Sequence, residues 1–195
     1  MESTQPVTPT KPRKFGKPWF TVGDKPGDRS LAQQLFGLSH LFSRCEDKTV
    51  LDAGSAQGCI SIELVKAGAA EAHCIEILPE FVAEGRKLRE ALPVTFTQAD
   101  LNVWKPEGEY DITIALASIH KVKDPCFLTE RLARATRQMM VIRTKPKLDP
   151  WVIVDQRSGF KPHDIGATMK ACGFRITKVV TGTFDEPIGY WERTA

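Results

Sequence analysis

Between Asp52 and Gly58 the chain reads Asp-Ala-Gly-Ser-Ala-Gln-Gly. Gly54 and Gly58 open backbone conformations closed to other residues and leave room for a ligand against the main chain. Glu76 follows 24 residues after Asp52, within the β-rich run AHCIEIL, and Asp100 ends the run VTFTQAD. An acidic side chain just beyond a strand can accept hydrogen bonds from both hydroxyls of a ribose. Two such acids flanking a glycine loop suit a ligand with a ribose, an amine donor and no phosphates, although either acid alone reads as a solvated strand-end charge. A nicotinamide-binding loop needs G-x-G-x-x-G, and counting from Gly54 puts Ala56 and Cys59 in the second and third glycine positions. The dinucleotide reading is therefore weak. His120, in Ser118-Ile119-His120-Lys121, titrates near neutral pH and is either a base for a hydroxyl or amine or a side chain that lines its loop. His40, His73 and His163 have no comparable placement. Cys45, Cys59, Cys74, Cys126 and Cys172 are odd in number and never form C-x-x-C, which fits reduced thiols packed as small hydrophobes and gives no metal site.

The elements that position these residues alternate helix and strand from Ser30 onward, the pattern of a parallel sheet covered on both faces. Ser30 and Gln33 form a capping box, and Leu31, Leu35, Leu38 and Phe42 recur at helical spacing, predicting one helix of roughly four turns. TVLD at 49–52 is the first strand, and Ile60, Leu64 and Val65 mark the helix after the glycine loop. Strands follow at 72–78, 94–99, 110–117 and 139–144. Pro79 opens the second crossover helix, and Asp124 with Pro125 caps and opens another. Ile165, Met169 and Cys172 form a last helical stripe closed by Gly173. The runs 175–183 and 188–193 are separated by too few residues for a helical crossover, so they must pair antiparallel. The expected fold is α/β: a doubly wound, mostly parallel seven-stranded Rossmann-like sheet with a final antiparallel strand pair.

The 195 residues, 42% hydrophobic and 26% charged, describe one soluble domain large enough to fold without disulfide or metal staples. No run approaches the roughly 20 apolar residues of a membrane span, and the amino terminus has no apolar run after its charges, so a cytoplasmic protein without membrane attachment is expected. The net charge of +3 is unevenly placed: residues 1–30 hold six basic and three acidic side chains, and the remainder holds 21 of each. Five of the thirteen prolines lie there too. Residues 1–29 are accordingly expected to be a basic, proline-rich mobile arm, and 30–195 a single domain. Such an arm either contacts phosphates, as in RNA, or is solvated; alternatively 17–29, with Trp19 and Phe20, folds over the ligand as a lid.

In sum of its motifs the chain resembles a class I S-adenosylmethionine-dependent methyltransferase. The resemblance runs from about Ser30 to the end and rests on VLDAGSAQG at 50–58, the acid of HCIEIL, ADL at 99–101, YDITIALASIHKVKDP at 110–125 and KACGFRITKVV at 170–180. It implies S-adenosyl-L-methionine as cofactor, bound by Asp52, Gly54, Ser55, Gly58, Glu76, Ile77, Asp100, Leu101 and Ala117. The Gly54–Gly58 turn would face the aminocarboxypropyl arm, Glu76 would hold the ribose, and Asp100 with the Leu101 backbone would meet the adenine. Ala56 stands where the family usually has its middle glycine, which implies a slight loss of room. His120 would lie near the methyl group as the candidate catalytic base.

The resemblance also limits the acceptor. Ala117-Ser118-Ile119-His120 matches neither the D/N/S-P-P-Y/F pattern of enzymes that methylate DNA amino groups nor the Pro-Cys of cytosine C5 enzymes. Lys145 or Lys147 with Glu192 partly matches a Lys-Asp-Lys-Glu ribose 2′-O set, but the Asp after the fourth strand is missing. A small molecule, an RNA outside these classes or a protein remains as acceptor. A non-catalytic cofactor-binding or regulatory protein of the same fold is the alternative. The segment KPKLDPWVIVDQRSGFKP, too long for a simple connection, is either a flap or short hairpin over the acceptor site or a surface excursion that packs Trp151 on the core.

Overall fold

A computed structural model describes residues 21, 22, 27–144, 151–154 and 162–194. Its main sheet has seven strands: β1 (Thr49–Ala53), β2 (Glu71–Glu76), β3 (Val94–Gln98), β4 (Tyr110–Leu116), β5 (Thr136–Arg143), β8 (Phe174–Thr181) and β9 (Pro187–Arg193). Their order is β3-β2-β1-β4-β5-β9-β8, parallel from β3 to β5, with β9 antiparallel to both neighbours. The expected fold class holds, including the final antiparallel pair. Strand order reverses between β1 and β4, so the carboxyl ends of β1, β2, β3 and β4 share one edge of the sheet, where an open α/β sheet takes its ligands.

Successive residues of a strand face opposite sides, and both sides are buried here. Val50, Ile112, Ile114 and Val141 pack under α3 (Cys59–Lys66) and α4 (Pro79–Leu88), joined by Leu38 and Leu41. Leu51, Ala53, Ala115, Met140 and Ile142 pack under α5 (Pro125–Arg134) and α6 (Ile165–Ala171). Between β3 and β4 the described chain makes turns and no helix. The side of β2 and β3 left without a helix carries polar groups instead. His73 shares hydrogen bonds with the Tyr110 hydroxyl at 2.7 Å and the Thr97 hydroxyl at 2.8 Å, and Trp104 stands edge-on to its ring.

The expected four-turn helix is two short ones, α1 (Leu31–Leu35) and α2 (Ser39–Phe42). The Ser30–Gln33 capping box is present at its start. The break lies at Gly37, whose φ of +83° is left-handed. The Tyr190 hydroxyl donates to the Gly37 carbonyl at 2.6 Å, and a Cβ there would come within 3.0 Å of Ile188. Tertiary packing against β9 thus overrides the apolar spacing. Strand β5 begins three residues earlier than its apolar run, because Thr136 and its neighbours continue the ladder with β4.

The long segment after β5 contains a hairpin, β6 (Val152–Val154) and β7 (Pro162–Asp164), paired antiparallel. Trp151 also packs on the core: its ring meets Trp191 edge-on at 5.3 Å and fills the space over Gly189. The hairpin and the packing of Trp151 on the core are thus both present. The intervening residues 145–150 and 155–161, which include Lys145 and Lys147, lie outside the described residues, as do residues 1–20 and 23–26 of the expected arm. Arg29, at its end, forms a two-pronged pair with Glu186 at 2.8 and 2.9 Å. All five cysteines are free. Among the described residues no helix is long and apolar enough to cross a membrane.

Candidate functional site

The loop after β1 continues the sheet before it turns. The Gly54 and Ser55 amides both donate to the Ile75 carbonyl, at 2.8 and 3.1 Å. Gly54 then takes φ +85°, and a Cβ on it would lie 2.5 Å from the Cβ of Ser118. The loops after β1 and β4 therefore touch. Gly58, at φ +70°, begins α3 and lies against Phe96, whose ring would meet a Cβ at 2.5 Å. Both glycines are thus required by conformation and by close approach.

Ala56 is left-handed as well, at φ +50°. Its departure from glycine is felt in the backbone, since a left-handed non-glycine residue costs roughly 1–2 kcal/mol. The Ala56 amide donates to Glu76 Oε2 at 2.9 Å, which holds it there. Glu76 Oε1 accepts from the Ile77 and Leu78 amides at 2.8 and 3.0 Å. The buried carboxylate of Glu76 therefore organises the loop and the entry to α4, a role the sequence did not disclose. Ile77, beside it, is half exposed.

Asp52 lies beneath the loop, buried, and accepts a hydrogen bond from the Ser61 hydroxyl at 2.7 Å. Burial pushes its carboxyl up to about 7; the Ser61 bond works against this and the Glu76 charge adds to it. Its place is structural support, facing α3. Asp100 Oδ1 accepts from the Asn102 amide and side chain, at 2.8 and 2.7 Å, and Asn102 Oδ1 accepts from the Lys123 amide at 2.7 Å. The Leu101 carbonyl accepts from Arg131, whose guanidinium lies over the Phe127 ring. The turn after β3 is thereby tied to the start of α5.

Ala117 follows β4 at φ +67°, and its amide donates to the Arg143 carbonyl at 3.1 Å. His120 lies in the single 3₁₀ turn Ile119–Lys121, anchored by the buried Ile119. β7 approaches the start of α5, where His163 Nδ1 stands 3.9 Å from Asp124 Oδ1 at the helix cap. Thus Gly54, Ser55, Gly58, Glu76, Asp100, Leu101, Ala117 and His120 all stand along the carboxyl edge of the sheet, with Asp52 one layer below. Sequence reasoning missed Asn102, Arg131, Ser118, Gln34 and Arg143. Only Asn102 carried a local signal, two residues after an aspartate whose side chain can cap it. The partners of the rest are distant in the chain.

A family model described as a methyltransferase domain matches residues 50–139. No curated protein matches the chain. Among solved structures, magnesium protoporphyrin IX methyltransferase from Synechocystis PCC 6803 with bound S-adenosylhomocysteine is similar at 20% identity, with a TM-score of 0.64, over 84% of each chain. An S-adenosylmethionine-dependent methyltransferase from Mesorhizobium loti is similar at 15% identity, with a TM-score of 0.66, over 80% of this chain and 95% of that one. The [4+2]-cyclase SpnF is similar at 13% identity, with a TM-score of 0.66, over 88% of this chain and 86% of that one. At such identities these structures establish the fold. The methyltransferase-domain match lies over the glycine loop, Glu76, Asp100 and the β4 segment, and the fold around it is that of S-adenosylmethionine-dependent methyltransferases of known structure.

Proposed function

We propose that this protein transfers the methyl group of S-adenosyl-L-methionine to a nucleophilic acceptor. The observation that carries the reading is the ordered edge formed by the Gly54 loop, Glu76, Asp100 and Ala117, on four adjacent strands. The donor set suits this cofactor: two carboxylates for hydroxyls and amine, and no basic side chain from Asp52 to Gly58 to meet a phosphate. When bound, the cofactor supplies an electrophilic methyl group on a sulfonium. The remaining work is alignment and exclusion of water, because the displacement is in line and the acceptor's lone pair forms the new bond as the carbon–sulfur bond breaks.

In this reading the Gly54–Gly58 turn faces the aminocarboxypropyl arm, Glu76 and Ile77 flank the ribose, and Asp100 with Leu101 meets the adenine. Asp52 fixes the loop from below. His120 takes the proton of a hydroxyl or amine acceptor, and the β6–β7 hairpin walls the acceptor side. The acceptor is a small molecule, an RNA or a protein, and the basic residues of 1–29 are the segment that would meet an RNA.

Calorimetry with S-adenosylmethionine and S-adenosylhomocysteine tests the reading. Binding of both is expected, and no binding of either at millimolar concentration overturns it. A second reading, a cofactor-binding protein that does not methylate, is favoured by the [4+2]-cyclase that shares the fold. It predicts an intact cofactor site, no methylation of any candidate acceptor, and no effect of His120→Ala on a cellular phenotype.

A further inference from the structure

At the amino edge of the sheet, opposite the glycine loop, an open cleft of about 340 Å³ is lined by Arg44, Arg137, Gln138, Glu192, Arg193 and Thr194. Strand pairing builds it. β9 runs antiparallel to β5 and ends where β5 begins, so Glu192 pairs with Met139 on one side and with Arg175 of β8 on the other. Between Thr136 and Met139, β5 takes three steps against two on β4. Such a bulge re-aims side chains, and the consecutive residues Arg137 and Gln138 both line the cleft instead of facing opposite sides of the sheet. Arg44, which follows α2, completes the wall, with its Nη1 3.5 Å from Glu192 Oε1.

Three guanidinium groups thus line one cleft against a single carboxylate. That carboxylate is divided: Glu192 Oε1 faces Arg44 at 3.5 Å and His40 at 3.8 Å, both longer than an ordinary charged hydrogen bond. Arg137 Nε donates to Glu109 at 3.1 Å and its Nη1 stands 3.9 Å from Asp111, so its outer fork makes no hydrogen bond. Both members of the Arg137–Glu109 pair are exposed, and a solvated pair of that kind is exchanged for a better partner at little cost. Arg193 meets no carboxylate among the described residues. Its donors go to the carbonyls of Ala133, Thr136 and Cys172 at the ends of α5 and α6, which leaves its charge uncancelled beside the cleft. Arg175, exposed next to Glu192, adds a further cation at the rim.

We propose that this cleft binds phosphate groups, at a site separate from the carboxyl edge of the sheet. A planar carboxylate offers its two oxygens to one guanidinium fork, whereas a phosphate presents oxygens in several directions and engages the forks of Arg44 and Arg137 together. The excess of positive charge favours an ion with more than one negative charge. From Arg137 to Arg143, β5 advances six residues, about 20 Å, so a phosphate held here lies that far from the carboxyl edge. It belongs either to the backbone of an RNA long enough to cross the sheet or to a free polyphosphate, such as that of a nucleotide, bound as a ligand in its own right. Neither source requires the methyl-transfer reading to hold.

The test is calorimetry with tripolyphosphate at fixed ionic strength on the full-length wild type, Arg44→Gln, Arg137→Gln and Glu192→Gln, with Arg134→Gln as control, an exposed arginine paired to Glu130 outside the cleft. The wild type should bind saturably, and Arg44→Gln and Arg137→Gln should each lose about tenfold or more, while Arg134→Gln matches the wild type. Glu192→Gln should bind more tightly, because it removes the one carboxylate that faces the anion. No saturable binding overturns the site, as does unchanged affinity in both arginine variants of the cleft or a failure of Glu192→Gln to tighten. An equal loss in Arg134→Gln overturns it too, as the mark of diffuse attraction to net charge. Arg44 and Arg137 are half exposed, so their variants should keep the wild-type melting temperature. A single-stranded RNA followed by fluorescence anisotropy then separates the sources. If the cleft variants weaken RNA binding and tripolyphosphate displaces the RNA, the phosphate is that of an RNA backbone; if RNA binding is absent or unchanged while tripolyphosphate binding is lost, the cleft takes a free polyphosphate. S-adenosylhomocysteine affinity should be the same in all variants, and its absence from the wild type would overturn the methyl-transfer reading while leaving the phosphate site to the titrations above.

Discussion

Glu76 accepts from three backbone amides, those of Ala56, Ile77 and Leu78, so its removal acts twice. Glu76→Ala strands the three donors and frees a left-handed Ala56, and the fold is expected to lose about 1–3 kcal/mol in urea denaturation. In the proposed function the same change also removes charge-assisted bonds to the ribose, and S-adenosylhomocysteine affinity should then fall roughly 10- to 100-fold, the equivalent of about 1–3 kcal/mol. A folded variant that binds as tightly as wild type places the ribose elsewhere. Asp52 gives a pH signature. Its carboxyl is raised to about 7 from the usual 3.8, so the folded state keeps a proton that the unfolded chain has released. Stability is therefore lost as pH rises from about 4 through 7, by at most about 4 kcal/mol at ~1.4 kcal/mol per pH unit. Asp52→Asn should abolish that slope in melts at pH 5 and pH 8; equal slopes would mean Asp52 is already ionised. The placement of Glu76 and Asp100 was legible because strand ends follow from alternating patterns. Gln34 and Arg143 were not, since 109 residues separate them and neither pattern nor spacing records a contact made through the fold.

Trp151 and Gly189 decide where the β6–β7 hairpin sits. A Cβ on Gly189 would lie 2.1 Å from the Trp151 ring, so no side-chain rotation at residue 189 relieves the overlap. Gly189→Ala should therefore expel Trp151 from its slot against Trp191 and destabilise the protein by about 1–3 kcal/mol, the usual range for overpacking. Hydrogen exchange would show the loss concentrated at residues 151–154 and 162–164, with β1 and β2 keeping their protection. Uniform protection across the hairpin would show that the indole is not its anchor. The sequence disclosed an apolar WVIV run and turn residues around it, enough to expect a hairpin. It did not disclose the slot, because the glycine that makes it lies 38 residues away on β9. The helix broken at Gly37 is the converse case. Leu35, Leu38 and Phe42 do face one core at helical spacing, yet the backbone between them is set by Tyr190 and Ile188, which no local propensity reports.

At the scale of the whole molecule, charge is the property that the folded domain leaves unexplained. Residues 31–195 balance, and all three excess positive charges belong to residues 1–30. Within the first 16 residues Lys11, Arg13 and Lys14 face a single acid, Glu2. If this segment guides a phosphate-bearing acceptor, each phosphate it neutralises releases counterions, and binding weakens as salt rises. Deleting residues 1–16 removes those three cations while leaving 17–29, including Trp19, Phe20 and the Arg29 pair with Glu186, so a lid formed by the later part would survive the cut. With a single-stranded RNA followed by fluorescence anisotropy between about 50 and 200 mM salt, the deletion should flatten the plot of log affinity against log salt by about 2, at ~0.7 per phosphate lost. Cofactor affinity should be unchanged, since the carboxyl edge of the sheet keeps all of its residues. If the intact protein binds RNA and the deletion alters neither affinity nor slope, these cations take no part in it. If the intact protein binds no RNA even at the lowest salt, the excess charge serves another purpose and a small-molecule acceptor takes precedence.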